Sequence, residues 1–245
     1  MSHIIWLRPS ISPNSSSRLV LKNRHCAQNS HHIRRWRTDA ANLRYGLIVT
    51  VTLCRSDGLC EYGVVPKRKI IVNIATSADG YVARTDGNLD WLTRRPAPKG
   101  FYGLPKFSRS IDAKILGRKT FDLSVKMGAS FSADDVHYVF SRRPPSASAP
   151  VGVQFVTESI RAFAERLRKQ AGKNIWMMGG SEIIGSFLDG DAIDEFIITV
   201  VPTLIGDGIP LIAPRHREVP LRLRSLQRFA DSVVQLHYEV QRPRA

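Results

Sequence analysis

Residues 175–184 read IWMMGGSEII, a short apolar run that stops at two glycines and is followed directly by an amphipathic segment. This pattern predicts a buried strand that turns sharply into a helix. Gly179 and Gly180 let a ligand approach the backbone closely and accept a positive φ. Ser181 is a good candidate for the helix N-cap, and the helix N-terminus behind it would favour an anion such as a pyrophosphate. The same residues are also typical of a tight turn that binds nothing.

The chain beyond Lys67 repeats this alternation of strands and helices. Predicted strands cover residues 69–76, 113–116, 136–141, 153–157, 174–178 and 193–201. Predicted helices cover residues 99–111, with an interruption at Pro105, then 158–171 and 181–188, and a further helix opens at 117–120. Two late strands, 221–228 and 232–241, are typical of a hairpin. The order predicts an α/β fold with three αβα layers, a mixed and mostly parallel sheet, and a C-terminal antiparallel hairpin.

The composition allows several classes of function. The chain has 245 residues, 43% of them hydrophobic, and a net charge of +15. No run approaches the roughly 20 apolar residues that a membrane span requires. The charge favours a nucleic-acid-binding protein as one interpretation, but the chain lacks aromatic residues interleaved on a basic stripe. A cofactor or substrate with several phosphates explains part of the charge more economically.

Residues 1–66 differ from the rest of the chain. They hold clusters of Ser, Asn, His and Arg and no acidic residue before Asp39. This composition is typical of a disordered or wrongly assigned extension, and also of a targeting peptide. We expect the extension, with the folded domain at 67–245. All three cysteines lie in it at spacings that match no zinc site, so we expect no disulfide, no metal site and a reducing, cytoplasmic location.

Three predicted strand ends carry residues that suit a phosphorylated cofactor. Residues 117–120 read GRKT, residues 141–142 read SR directly after a strand, and the third end is the glycine pair at 179–180. Arginine binds phosphate in a bidentate way and lysine acts as a point charge. Ligands of such sheets bind at the carboxyl ends of the strands. Each pair of cations alone is typical of a solvated turn, but together the three ends favour a dinucleotide, although none matches G-x-G-x-x-G or a P-loop.

Seven short segments follow one another in a recognisable order. They are IATSADGY at 74–81, NLDWL at 88–92, GRKTF at 117–121, VFSR at 139–142, MGG at 178–180, DEFII at 194–198 and PTLIGDG at 202–208. In this combination the chain resembles the dihydrofolate-reductase-like superfamily from about residue 67 to 241. Within the superfamily it most resembles the branch typified by the C-terminal reductase domain of bacterial riboflavin biosynthesis enzymes.

The resemblance implies an NADPH site at these strand ends. The implied cofactor-binding residues are Ala75 at the nicotinamide carboxamide, Arg118, Lys119 and Thr120 at phosphates, Ser141 and Arg142 at the adenosine 2′-phosphate, and Gly179, Gly180 and Ser181 at the pyrophosphate. The implied reaction is hydride transfer to a small heterocycle or sugar imine, as in the reduction of 5-amino-6-(5-phosphoribosylamino)uracil.

We further expect a homodimer with a small-molecule substrate and no nucleic-acid or membrane partner. An orphan pteridine- or dihydrofolate-type reductase is the alternative. Residues 1–66 contain no H-x-E or C-x-x-C signature of a deaminase, which weakens the riboflavin assignment.

Two departures from a true dihydrofolate reductase argue against dihydrofolate as the substrate. The resemblance implies a carboxylate four residues before an aromatic residue of the first helix, but counting back four from Phe107 gives Gly103. It also implies an arginine for the glutamate tail of folate, whereas residues 131–135 read FSADD. Asp79 is the acid expected to border the nicotinamide, so it is the candidate catalytic residue. The other interpretation is a turn-forming residue that caps its own loop.

Overall fold

The computed structural model describes residues 19–21, 47–52, 60–96, 98–142 and 149–242. The chain divides into two compact units, Met1–Lys67 and Arg68–Ala245. In the first unit, strands β1 (Leu19–Leu21), β2 (Leu47–Thr52) and β3 (Cys60–Pro66) form an antiparallel sheet in the order β1-β3-β2. All of the predicted cofactor-binding residues belong to the second unit.

The second unit is built on an eight-stranded sheet. Its elements are β4 (Ile70–Ser77), β5 (Tyr81–Ala83), α1 (Asp90–Thr93), α2 (Leu104–Arg109), β6 (Ile111–Gly117), α3 (Arg118–Lys126), β7 (Val136–Phe140), β8 (Val153–Val156), α4 (Ile160–Lys169), β9 (Asn174–Gly179), α5 (Ser181–Asp189), β10 (Glu195–Val201), β11 (Ile209–Pro210), β12 (Leu221–Arg228) and β13 (Val234–Val240). The strand order is β12-β13-β10-β4-β9-β6-β7-β8. The strands from β10 to β8 run parallel, and β13 and β12 are antiparallel, which confirms the predicted mixed α/β sheet with its hairpin. β5 and β11 form a separate antiparallel pair.

Helices cover both faces of this sheet. Because side chains alternate along a strand, Tyr138 and Val139 of β7 face opposite sides. Tyr138 belongs to the main hydrophobic core with Phe163 of α4 and Phe187 of α5. Val139 packs instead with Phe121 of α3. Helices α4 and α5 therefore lie on one face and α3 on the other, as three layers require.

The prediction of a helix over residues 99–111 is wrong for residues 100–103. Residues 100–103 all have φ between 45° and 84° and form a left-handed turn. Helix α2 begins only at Leu104, with Pro105 in its first turn, where a missing N–H costs nothing. A left-handed conformation costs an L-residue about 1–2 kcal/mol, so contacts with other parts of the chain must hold this turn.

Ion pairs hold the central strands together near the amino ends of β4 and β10, opposite to the carboxyl ends that carry the predicted site. Asp194 pairs with Arg168 at 2.8 Å. Glu195, whose side chain is 9% exposed, pairs with Lys69 at 2.5 Å and His237 at 3.0 Å. Burial raises the pKa of Glu195, but the hydrogen bonds from His237 and Lys69 outweigh it and lower the pKa to about 2. Glu195 is therefore ionised at neutral pH and holds β4, β10 and β13 together.

We propose that the second unit folds and binds its ligand without the first. It has its own hydrophobic core, whose members run from Ile70 to Val240. A chain that begins at Lys67 should therefore show the same thermal midpoint and the same NADPH affinity as the full chain. Circular dichroism and a fluorescence titration measure these quantities. An insoluble or non-binding short chain would show that the domain needs residues 1–66.

Candidate active site

Two strand–helix junctions meet at the carboxyl edge of the sheet. β6 pairs with β9 so that Leu116 lies opposite Gly179, and each strand then passes directly into a helix. A Cβ atom added to Gly180 would lie 3.0 Å from Oγ1 of Thr120. A Cβ atom added to Gly117 would lie 3.9 Å from the backbone nitrogen of Gly180. The two junctions therefore lie against each other, and a side chain at Gly180 would crowd Thr120.

The junction between β9 and α5 differs from the sequence prediction in one respect. Gly179 has a φ of +119°, which favours glycine, and the peptide bond between Gly179 and Gly180 is cis. The N-cap of α5 is Gly180, which is extended with φ −75° and ψ −175°, and Ser181 is the first helical residue. The prediction of Ser181 as the N-cap is therefore wrong, because its hydroxyl does not cap the first turn.

The hydroxyl of Ser181 is buried and unpaired. The residue is 8% exposed, and its Oγ has no hydrogen-bond partner among the described residues. Leaving such a group unpaired costs roughly 1–3 kcal/mol, so it calls for an explanation such as a ligand. It lies in the first turn of α5, where free backbone N–H groups and the helix dipole favour a negative charge. A phosphate group would satisfy the hydroxyl and the helix end together.

Two of the predicted cations begin α3. Nε of Arg118 donates to both carboxylate oxygens of Asp122, at 2.8 and 3.0 Å. The Arg118 guanidinium also lies 5.3 Å from the centre of the Phe155 ring. Lys119 is exposed. Arg118 is thus held along its own helix by an acid, and Lys119 is the more accessible charge.

The other predicted cation follows β7, the strand next to β6. Phe140 at the end of β7 pairs with Gly117 at the end of β6. The backbone N–H of Ser141 donates to the carbonyl oxygen of Val156 at 3.3 Å, and Arg142 is exposed. The three predicted phosphate-binding segments therefore lie at the ends of three neighbouring strands. Residues 143–148, which follow, lie outside the described ranges.

A cavity of about 440 Å³ lies beside Ala75, the predicted nicotinamide contact. Its lining includes Arg95, Tyr102, Trp176, Thr199 and Gln235. Ile74 also lines it and would lie 3.6 Å from a Cβ atom added to Gly179. The cavity is large enough for a small ring.

A row of residues in register forms the floor of this cavity. Ala75 of β4 pairs with Thr199 of β10, which pairs with Gln235 of β13, so the three side chains share one face. Sequence reasoning missed Thr199 and Gln235. The alternation in residues 234–240, VQLHYEV, indicates a polar face of the last strand, but it gives no sign that this face lines a cavity.

Asp79 does not line the cavity. Its carboxylate accepts hydrogen bonds from the Ser77 hydroxyl at 2.6 Å and from the N–H groups of Ile205 at 3.1 Å and Gly206 at 2.8 Å. The bond from Ser77, followed by the backbone bonds, lowers the pKa of Asp79 below its usual value. The carboxylate is thus bonded to Ser77 in its own loop and anchors the loop after β10, and its catalytic role stays a prediction.

Within the ranges that the structure describes, no group of three or more His, Cys, Asp or Glu side chains is arranged to hold a metal ion. None of the helices in the same ranges is long and apolar enough to cross a membrane.

Several known proteins are similar to this chain. YwjB of Bacillus subtilis (strain 168), an uncharacterized protein, is 41% identical over 173 residues, which cover 70% of this chain and 98% of that protein. A crystal structure from Shewanella sp. PV-4, provisionally named a riboflavin biosynthesis protein, is 30% identical with a TM-score of 0.60 and covers 71% of this chain and 99% of that one. Dihydrofolate reductase from Enterococcus faecalis, complexed with NADP(H), is 16% identical with a TM-score of 0.51 and covers 71% of this chain and 97% of that one. The last match concerns the fold alone and confirms the predicted dihydrofolate-reductase-like architecture.

The family described as RibD C-terminal domain matches residues 68–235, a span that contains every residue of the junctions and of the cavity floor. The match and the identity to YwjB show that the chain belongs to the RibD C-terminal domain family, as the resemblance in its sequence implied.

Proposed function

We propose that the protein is an NADPH-dependent reductase of the riboflavin-biosynthesis type, acting in the cytoplasm on a small heterocycle or a sugar imine. The observation that carries this proposal is the buried, unpartnered hydroxyl of Ser181 at the contact of two glycine junctions. A phosphate bound there would belong to the dinucleotide whose nicotinamide we assign to the cavity beside Ala75.

The chain would hold the cofactor at three places. The residues assigned to it are Gly179, Gly180 and Ser181 for the pyrophosphate, Arg118, Lys119 and Thr120 for further phosphate contacts, Ser141 and Arg142 for the 2′-phosphate, and the backbone of Ala75 for the carboxamide. Bound NADPH would supply the hydride. The protein would bring donor and acceptor together in a site from which most water is excluded.

The net charge supports a nucleic-acid-binding protein less well than the cofactor. Many of the arginines are neutralised by acids of the same surface. Arg215 and Arg217 pair with Asp189 at 2.5 and 2.8 Å, and Arg222 pairs with Glu239. Such pairs do not form the basic stripe that nucleic acids require. The remaining alternative, an orphan pteridine-type reductase, differs from the proposal in the ring that is reduced.

Apolar side chains on the edge strand β12 support a homodimer. Leu221, Leu223 and Leu226 are 42%, 50% and 59% exposed. They lie opposite Val240, Tyr238 and Leu236 of β13, on the same side as the main core. Exposed apolar side chains that continue a core face mark an interaction surface, and a second copy of this chain offers the same surface.

A β-bulge keeps these leucines on one face. The pairing with β13 shifts between Leu223 and Ser225, so Arg224 is the extra residue of the bulge. In a regular strand, the spacing from Leu223 to Leu226 would put the two side chains on opposite faces. The bulge thus keeps the three leucines on one apolar surface.

We expect NADPH to bind more tightly than NADH, because Arg142 lies where the 2′-phosphate would be held. One charge-assisted contact contributes about 1.5–3 kcal/mol, so Arg142→Ala should weaken NADPH roughly 10- to 100-fold and leave NADH nearly unchanged. Fluorescence titration of both cofactors measures this. Arg161→Ala removes an exposed arginine of α4 and should change neither affinity. Equal affinities in the unmodified protein would contradict the proposal, and salt-dependent DNA binding without NADPH binding would favour the nucleic-acid alternative.

Dihydrofolate should be a poor acceptor. Reduction of its C=N bond requires a proton at the adjacent nitrogen, but none of the described residues that line the cavity is Asp or Glu. Losing charged contacts of this kind costs several kcal/mol, so we expect at most a trace rate. The assay follows the loss of NADPH absorbance with dihydrofolate as the sole acceptor, against a blank without it. Turnover near the ~10 s⁻¹ typical of enzymes would restore the folate interpretation.

Leu223→Arg should convert the dimer into a monomer, because it places an unpaired charge in the proposed interface. Light scattering after size exclusion should give twice 27.4 kDa for the unmodified chain and 27.4 kDa for the variant. Leu204→Arg, at a leucine that is 75% exposed in the loop after β10, serves as the control and should remain dimeric. A monomeric unmodified chain would refute the proposed dimer.

A further inference from the structure

The side-chain amide of Gln235 is held in one orientation at the floor of the cavity. Its Nε2 donates to the carbonyl oxygen of Tyr102 at 3.1 Å and to Oγ1 of Thr199 at 2.9 Å. A carbonyl oxygen only accepts hydrogen bonds, so the amide nitrogen must face Tyr102. Both Nε2 hydrogens are then used. Among the residues that the structure describes, none donates to Oε1 of Gln235, which remains a free acceptor.

Thr199 has the complementary capacity. The residue is 6% exposed, and Oγ1 accepts the hydrogen bond from Gln235, so the hydroxyl hydrogen is left to be donated elsewhere. The described part of the chain offers no acceptor for it. Both residues line the cavity. An acceptor and a donor therefore lie side by side on its floor.

The left-handed turn at residues 100–103 fixes this arrangement. Tyr102 has φ 52° and ψ 33°, a conformation that a residue with a side chain keeps only where its surroundings impose it. Its hydroxyl donates to Asp231 at 2.5 Å, and its ring packs edge-on against Phe229 with 4.9 Å between the centroids. These contacts hold the Tyr102 carbonyl against Gln235, so the binding groups are oriented before a ligand arrives.

We propose that Gln235 and Thr199 determine which ring the cavity accepts, by binding the neutral lactam edge of a pyrimidine or a related heterocycle. A ring N–H would donate to Oε1 of Gln235, and the adjacent ring C=O would accept from the Thr199 hydroxyl. This inference rests on the proposed function only in that the same cavity holds the ring that is reduced.

The charge of the cavity favours a neutral ring over a cationic one. Arg95 lines it, and the described lining residues include no acid. Asp231, which lies 3.6 Å from Arg95, is already bonded to the Tyr102 hydroxyl. A protonated amidine edge would therefore meet a cation and find no counter-charge, whereas a lactam finds one acceptor and one donor.

The test compares two uracils on the full chain by titration calorimetry, with and without NADP⁺. The probe 5,6-diaminouracil has intact lactam edges, and 5,6-diamino-1,3-dimethyluracil has a methyl group on both ring nitrogens. We expect the first to bind at least tenfold more tightly, because only it has a ring N–H that can donate to Gln235. Thr199→Val should weaken diaminouracil about tenfold, and Thr199→Ser, which keeps the hydroxyl, should restore binding to within threefold.

A gain of binding separates specificity from simple damage to the fold. Gln235→Glu places a carboxylate on the cavity floor, so it should bind 2,4-diaminopyrimidine, whose ring protonates readily, at least tenfold more tightly than the unmodified protein does. Gln154→Glu makes the same change at an exposed position of β8 and should give no gain. Thermal midpoints establish that each variant is folded. If Gln235→Glu does not fold, the comparison of Thr199→Val with Thr199→Ser decides the test.

Three results would overturn the inference: no binding of diaminouracil, equal binding of the two uracils, or a folded Gln235→Glu variant without the gain. A direct NADPH titration keeps this outcome apart from the proposed function. If NADPH binds but the two uracils bind equally, the proposed reductase function stands and the proposed recognition of the lactam edge is refuted. If the uracils are discriminated but NADPH does not bind, recognition of the lactam edge stands and the NADPH-dependent function is refuted.

Discussion

The parallel pairing of β6 with β9 is the constraint on which the site depends. It sets Leu116 opposite Gly179, so both segments leave the sheet at the same level and start α3 and α5 at once. Gly179 has a φ of +119°, which favours glycine, and a Cβ atom on Gly180 would lie only 3.0 Å from Oγ1 of Thr120. Because α5 begins without a linker, the hydroxyl of Ser181 is buried at the helix start. The proposed phosphate site is a result of this register and needs no dedicated loop.

The parts of the site that are encoded locally could be predicted from the sequence, and the parts that depend on distant contacts could not. The glycine pair at 179–180 and the GRKT segment at 117–120 each indicate a strand–helix junction from about ten consecutive residues. Gln235 receives its orientation from Tyr102, which lies 133 residues earlier, so no local pattern reveals it. The left-handed turn has the same origin, since Phe101 and Tyr102 have no intrinsic preference for positive φ. The N-cap rule failed at Ser181 because the extended Gly180 already occupies that position.

The charge of the chain illustrates a different limit. A net charge of +15 is a total and does not say where the charged side chains lie. In the described domain, Arg118 pairs with Asp122 and Arg168 pairs with Asp194, so these positive charges are compensated by acids of the same chain. Lys119 and Arg142 are exposed at the edge where the strands end. The position of these few side chains matters more than the total net charge for which ligands the protein attracts.

The bulge at Arg224 has a consequence for how this sequence can change. Removing Arg224 would turn the bulged strand into a regular one and leave every other side chain of β12 on its present face, whereas inserting a residue in regular register elsewhere would invert part of the strand. The bulge is therefore the place in β12 where the length of the strand is free to vary between descendants. Insertions and deletions that persist in this strand are expected at the bulge, where they leave the apolar edge of the domain intact.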